Sequence, residues 1–528
     1  MKVIQAPTLQ RNVPQSSDRP RRTSTAASDP SYNKKYFHTN RFYDTANEGL
    51  TMAKGRLEFL TSTEIRRVHD TSIRVLEEVG VVVHSDVVTK MLVDSGSMLS
   101  KDGKRVRVPQ ELVKSALAHA PKSIVLATRD GKGDMRIPDH NRLHVSNGGE
   151  GVYIKEMLTG ATRPSTLEDV QNFTVIVESL PQVDFAWGMV GALDLPPDLK
   201  NIAEFKTGLE NTRKHFQGGA SDAEEALEMI ALASILTDGT ENLKKNPIFS
   251  GTECPISPLT FEGGLAEAQV EFAKAGVPVV AMVASVAGLT SPVTLSGTIA
   301  QVNAENLASL VISQVAEKGS PWIYSSDSVP GDLVTGSIDY GALEAQLLRT
   351  GAGQMGRYYG LPTMVAGVGL ESRSLSLGSV HEGVPSMSMM GLVPSDLGSG
   401  FGGVDQAAGA SFEQLVVDAW VWDVARDFAR EFSADDAAIS FETIRDAGLD
   451  GNFLGKRHTL ARFKTEFIST TKPEAVFSEK TDKGNRGDLL RKAKDEAQRI
   501  LKDVRAPVVS KDESRRMDEL FKGISRKH

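Results

Sequence analysis

Between Leu143 and Phe432 short apolar runs alternate with longer amphipathic stretches, and this alternation constrains the fold more than any other feature of the chain. The runs Leu143–Asn147, Val183–Met189, Lys214–Gly218, Pro247–Thr252, Pro278–Ala284, Trp322–Ser326, Thr363–Gly367 and Asp396–Phe401 have the length of buried strands. Between them, Thr166–Ser179, Ala223–Leu236, Gly263–Ala275, Ala300–Lys318, Tyr340–Tyr359 and Phe412–Phe432 read as helices. Strands that alternate with helices form a parallel sheet covered by helices. Eight such units over roughly 290 residues match an α/β chain closed into a (β/α)8 TIM barrel. A doubly wound open sheet is the alternative, and the strand count favours the barrel.

The barrel is read as residues 141–432, the catalytic part. Residues 55–140 form a small N-terminal α+β region. It contains helices at Thr63–Val79, Asp86–Ser95 and Pro109–Ala118, and strands at Val81–His84 and Lys122–Thr128. Residues 433–528 form a charged, helical C-terminal extension, with helices at Phe441–Leu449, His458–Phe467, Asp488–Leu501 and Asp512–Ile524. Charge of that density marks solvated helix faces. Residues 1–50, rich in Pro, Ser, Thr, Asn and Arg, read as a disordered arm.

A net charge of -8 implies no basic field for nucleic acid. No apolar run approaches the roughly 20 residues that span a bilayer. The single cysteine, Cys254, excludes an internal disulfide and any thiolate metal cluster within one chain. These features point to the cytoplasm. His140 and His144 have metal-like spacing, but they fall at the start of the first strand, on a barrel's inactive face, so no metal site is expected. Gly398, Gly400 and Gly403 lie at the last strand, outside a first βαβ unit, which makes a dinucleotide loop a weak reading.

Catalytic groups of such a barrel gather at the C-terminal ends of the strands. Aromatic residues are scarce, yet Trp187, Tyr324 and Phe401 fall at these ends. Clustered rings at a pocket mouth suit a quaternary ammonium ion, whose charge is held by ring quadrupoles. Packing in the barrel core or rim is the competing explanation.

From strand 6 onward the sequence resembles the trimethylamine methyltransferase family. The resemblance is carried by Pro321-Trp-Ile-Tyr-Ser-Ser-Asp327, Asp332-Leu-Val-Thr-Gly-Ser337, Arg357-Tyr-Tyr-Gly-Leu-Pro362 and the run from Val404 to Asp418. Cys254-Pro-Ile-Ser-Pro-Leu259 and His458-Thr459 extend it, so that it spans roughly residues 57–505. The resemblance implies transfer of a methyl group from an amine to the Co(I) centre of a separate corrinoid protein. Founding members carry pyrrolysine in the strand-8 loop, at or next to the position of Gln406. The chain is therefore similar to the branch without pyrrolysine, whose members include enzymes that demethylate glycine betaine.

In that setting Asp332 and Asp405 match family acids, and with Gln406 they form the expected catalytic set. Trp187, Tyr324 and Phe401 are the expected cage. Arg373 is the expected grip for a substrate carboxylate, with His381 assisting. Ser376, Gly378 and His381 depart from the family pattern, which leaves the particular amine open. No Asp-x-His-x-x-Gly motif of a corrinoid carrier is present. The corrinoid is therefore expected on a partner protein, with none bound by this chain alone. Association of the chain with itself is left open.

A quaternary ammonium already carries its charge and expels a neutral tertiary amine, so no general acid is required. Two other readings compete. One is a non-catalytic barrel that only binds quaternary ammonium; the other is a demethylase that uses another acceptor such as tetrahydrofolate.

Overall fold

The computed structural model describes residues 52–53, 56–139, 142–156, 158–368, 386–449, 451–467, 487–504 and 507–527. Eight parallel strands form its centre: β1 (His144–Asn147), β2 (Ala186–Trp187), β3 (Phe216–Gly218), β4 (Phe249–Glu253), β5 (Val279–Val283), β6 (Trp322–Ser326), β7 (Thr363–Gly367) and β8 (Leu397–Phe401). They are hydrogen-bonded in order from β2 to β8 and on to β1. The ring closes between β1 and β2 through a parallel bridge of Ser146 with Phe185. Among the described residues, the helices α1 (Leu167–Ser179), α2 (Pro197–Asn211), α3 (Ala223–Leu236), α4 (Gly263–Ala275), α5 (Leu295–Ala316), α6 (Leu343–Tyr358) and α7 (Phe412–Ala425) cover it. The expected barrel is present.

Strand β2 is shorter than its apolar run because side chains replace part of the ladder. Asp184 Oδ2 accepts from Val145 N at 2.9 Å, and Asn147 Oδ1 accepts from Trp187 N at 3.0 Å. Helix α7 ends seven residues before Phe432 and tightens into a 3-10 turn at Arg426–Ala429.

Inside the barrel, Phe185, Val280, Met282, Ile323, Met364 and Leu397 form an apolar floor. The antiparallel hairpin Ile124–Leu126 with Met135–Ile137 packs into it from the N-terminal end, inserting Ile124, Leu126, Met135 and Ile137. One end of the barrel is thereby plugged. His215 lies buried beside this hairpin, its Nδ1 within 3.2 Å of Ala127 O.

Helix α5 is buried over most of its circumference, because helices Ser62–Arg74, Asp86–Asp94 and Gln110–His119 pack on its outer side. In the C-terminal part, α8 (Gly487–Asp503) packs on α7 and α1, burying Ala493, Ala497 and Ile500. Helix α9 (Lys511–Ile524) packs on α2 and α3, burying Met517 and Ile524 and pairing Asp518 with Lys206 at 2.8 Å. Their charged residues remain largely on the solvent side.

Candidate active site

A cavity of about 210 Å³ opens at the C-terminal ends of the strands, where barrel chemistry is placed. Its wall includes Glu150, Trp187, Met189, Cys254, Met282, Asp327 and Tyr340, with glycines from the loops after β1 and β8. Gly149 is one of them: a Cβ there would come within 2.8 Å of the Trp187 ring, so the glycine lets the indole lie against the backbone. Asn147 fixes this corner, with Nδ2 donating to Trp187 O at 2.7 Å.

Asp327 supplies the best-defined charge. Its Oδ2 accepts from the Tyr340 hydroxyl at 2.9 Å, and its Oδ1 lies 3.5 Å from Arg349 Nη2. The charge of Asp327, with burial, raises the Tyr340 pKa, so the phenol stays protonated and donating. Arg349 is 1% exposed and lies against Gly367 of the cavity wall. Its Nε and Nη1 have no hydrogen-bond partner among the described residues. Cys254 opens to the cavity, yet crowding by protein atoms and the nearby Glu150, Glu253 and Asp327 push its thiol up, so it is a neutral wall group and a poor nucleophile. Among the described lining residues there are two carboxylates, Glu150 and Asp327, and no lysine or arginine.

The structure brings only part of the expected site together. Trp187 lines the cavity. Tyr324 does not: Ile323 points into the barrel, so its neighbours Trp322 and Tyr324 point outward into the helix layer. Trp322 Nε1 donates to Ser309 at 3.3 Å and the Tyr324 hydroxyl to Asn303 at 3.3 Å, both on α5. Phe401 also leaves the site. The pairing of β8 with β1 slips between Gly398 and Phe401, and Gly400 adopts φ +116°. This bulge turns Phe401 out against Trp422 of α7, with ring centroids 6.3 Å apart.

The expected acids both hold partners within the protein. Asp332 caps its own turn, accepting from Val334 N at 2.8 Å, Thr335 N at 3.3 Å and the Thr335 hydroxyl at 2.7 Å. The Thr335 hydroxyl and these amides hold its carboxyl below the usual range. Asp405 is paired with Lys155 at 2.9 Å and Tyr153 at 2.6 Å, which neutralises it. Gln406 is half-buried at the tip of the same loop, beside Ala407 of the cavity wall. Arg373 and His381 lie outside the described residues.

Sequence reasoning places Asp327 at a strand end but does not select it, and Tyr340 and Arg349 are missed. One signal for Asp327 is available: it continues the inward alternation of Ile323 and Ser325.

The trimethylamine methyltransferase (MTTB) family model matches residues 32–527. The chain belongs to the trimethylamine methyltransferase family. This member is a methyltransferase. It is 28% identical over 403 residues to trimethylamine methyltransferase MttB of Desulfitobacterium hafniense, covering 76% of this chain and 81% of the relative. It is 27% identical over 424 residues to the glycine betaine methyltransferase of another strain of that species, covering 79% and 86%. A crystal structure of the monomethylamine methyltransferase of Methanosarcina barkeri aligns with TM-score 0.45 at 11% identity, over 83% of this chain and 87% of that one. Among the described residues no helix is long and apolar enough to cross a membrane, and no cluster of His, Cys, Asp or Glu could hold a metal ion.

Proposed function

We propose that this family member takes a methyl group from a small quaternary amine, glycine betaine or a related betaine, and passes it to the Co(I) centre of a separate corrinoid protein. The observation that carries the reading is the cavity wall, where an indole and a carboxylate face a space sized for a small cation. Aromatic quadrupoles and a fixed anion hold a charge that cannot donate hydrogen bonds. Gln406 in the strand-8 loop, at or next to the position where founding members carry pyrrolysine, supports a quaternary over a tertiary amine.

The cavity is far smaller than a corrin macrocycle. This supports an acceptor carried by a partner and presented at the mouth. In the reaction the C–N bond breaks, its electron pair stays on nitrogen as the neutral tertiary amine leaves, and the methyl group passes to the acceptor. The chain's own contribution is positioning the N–CH3 bond in line with the mouth and stripping water from the cation. Asp327 shares its charge with Tyr340 and Arg349, which softens an ion pair that would otherwise favour the ground state over the transition state. Arg349 adds positive charge behind that wall, and this supports a zwitterionic betaine over a bare cation.

The test is to incubate the chain with reduced corrinoid protein and a panel of amines, following cobalt methylation by absorbance. Methylation with a betaine supports the reading. Tight amine binding by calorimetry without methylation would favour a binding barrel, and methylation of tetrahydrofolate in its place would favour the other acceptor.

A further inference from the structure

The loop after β8 is held in a conformation that its sequence does not favour. Asp405, Gln406 and Ala407 have φ of +52°, +60° and +63°, in a left-handed region that side-chain-bearing residues seldom occupy, and here three occupy it in a row. None is glycine. The flanking segments Gly403–Val404 and Gly409–Ala410 pair with each other antiparallel, and Gly409–Ala410 also pairs with Tyr153–Ile154 of the loop after β1. The backbone ladder sets the two legs of this turn. The tip needs a further restraint, and the side chains supply one.

That restraint is a single carboxylate. Asp405 Oδ1 and Oδ2 accept from Lys155 Nζ at 3.0 and 2.9 Å, and Oδ2 accepts from the Tyr153 hydroxyl at 2.6 Å. The side chains of Lys155 and Asp405 are 7% and 14% exposed, so water screens the pair little. Lys155 and Tyr153 belong to the same short strand, Tyr153–Lys155, that carries the ladder. The tip they hold sets Ala407 in the cavity wall and Gln406 beside it.

We propose that Lys155 and Tyr153 are positioning residues that latch the β8 loop over the cavity through Asp405, and that Asp405 is the keeper of this latch and not a counter-ion for the substrate. Its charge is spent on Lys155, and the anionic character of the cavity comes from Asp327 and Glu150. The latch keeps a strained tip in place so that Gln406 and Ala407 bound the bound amine from above.

The two roles of Asp405 predict opposite responses to one substitution. If Asp405 is the keeper, Lys155→Met frees the loop, and exchange of the Ala408 amide, which donates to Asp405 O at 3.2 Å, rises about tenfold in the full chain, as loss of a charge-assisted hydrogen bond implies. Asp405→Asn raises it similarly, the double variant adds little because both remove one interaction, and Lys155→Arg retains most of the protection. Tetramethylammonium affinity by calorimetry then falls in Lys155→Met and Asp405→Asn alike. If Asp405 instead faces the substrate, Lys155→Met unmasks a carboxylate and tightens tetramethylammonium binding while Asp405→Asn weakens it; that result overturns the proposal. Unchanged exchange in Lys155→Met also overturns it. The affinity arm rests on the reading of the cavity under Proposed function; absence of tetramethylammonium binding by the unmodified chain would count against that reading, and the exchange arm would still decide the latch.

Discussion

At the scale of single residues, Asp327 and Trp187 carry the case for a cationic substrate. Asp327→Asn keeps the shape and the Tyr340 hydrogen bond but removes the charge, and should weaken a quaternary ammonium by about 1–3 kcal/mol in calorimetry. Trp187→Leu should cost about 1–2 kcal/mol through loss of the ring contact. Arg349→Met should weaken glycine betaine more than choline; equal losses would show that Arg349 does not sense the carboxylate. The reason these residues were only partly legible in the sequence is one of direction. A strand run shows which residues are apolar, but Tyr324 and Phe401 sit at the correct height and on the wrong face. For Tyr324 the alternation set by Ile323 decides, and for Phe401 the bulge at Gly400 decides. Asp405 was legible as a residue of the loop and not as the partner of Lys155, because that partner comes from the loop after the neighbouring β1, 250 residues away in sequence.

At the scale of elements, strands β6 and β7 were legible residue for residue, since Pro321, Pro362 and Gly367 punctuate apolar runs of strand length. Helix α2 was hidden by Pro196-Pro197, a pair that reads as a break; Pro197 instead stands in its first turn, where the missing N–H costs nothing. Helix α5 starts five residues before the expected Ala300. Its polar residues, which look solvent-facing in sequence, point into the protein. Asn306 is the clearest: Nδ2 donates to Ser325 O at 2.9 Å and Oδ1 accepts from Ser325 N at 3.2 Å, so one side chain stitches the helix to β6. Asn306→Ala leaves the buried Ser325 amide without that partner and should destabilise the protein by about 1–3 kcal/mol, measured as a shift in the denaturant midpoint.

At the scale of the whole molecule, buried titratable groups set how stability depends on pH. Burial raises Glu253 to about 8 and Asp418 and Glu204 to about 7, while it lowers His215 to about 4. The three acids keep protons in the folded chain that the unfolded chain releases, so their contribution is lost as pH rises from the ordinary carboxylate range toward 8. His215 acts in the other direction: its neutral form is penalised as pH falls below 6.5 toward 4, where the unfolded chain takes up a proton. Melting temperature should therefore fall between pH 6 and pH 8, and Glu253→Gln should flatten that decline in thermal scans. The plugged floor has a kinetic meaning of its own. With the hairpin at residues 124–137 filling one end, the described part of the barrel leaves the amine the same doorway that the acceptor must cover. Under the proposed reaction, turnover must run in compulsory order: amine first, acceptor second, and no release of demethylated amine until the acceptor has gone. Excess acceptor should then trap amine inside and slow the steady state, a form of inhibition that a barrel open at both ends would not show.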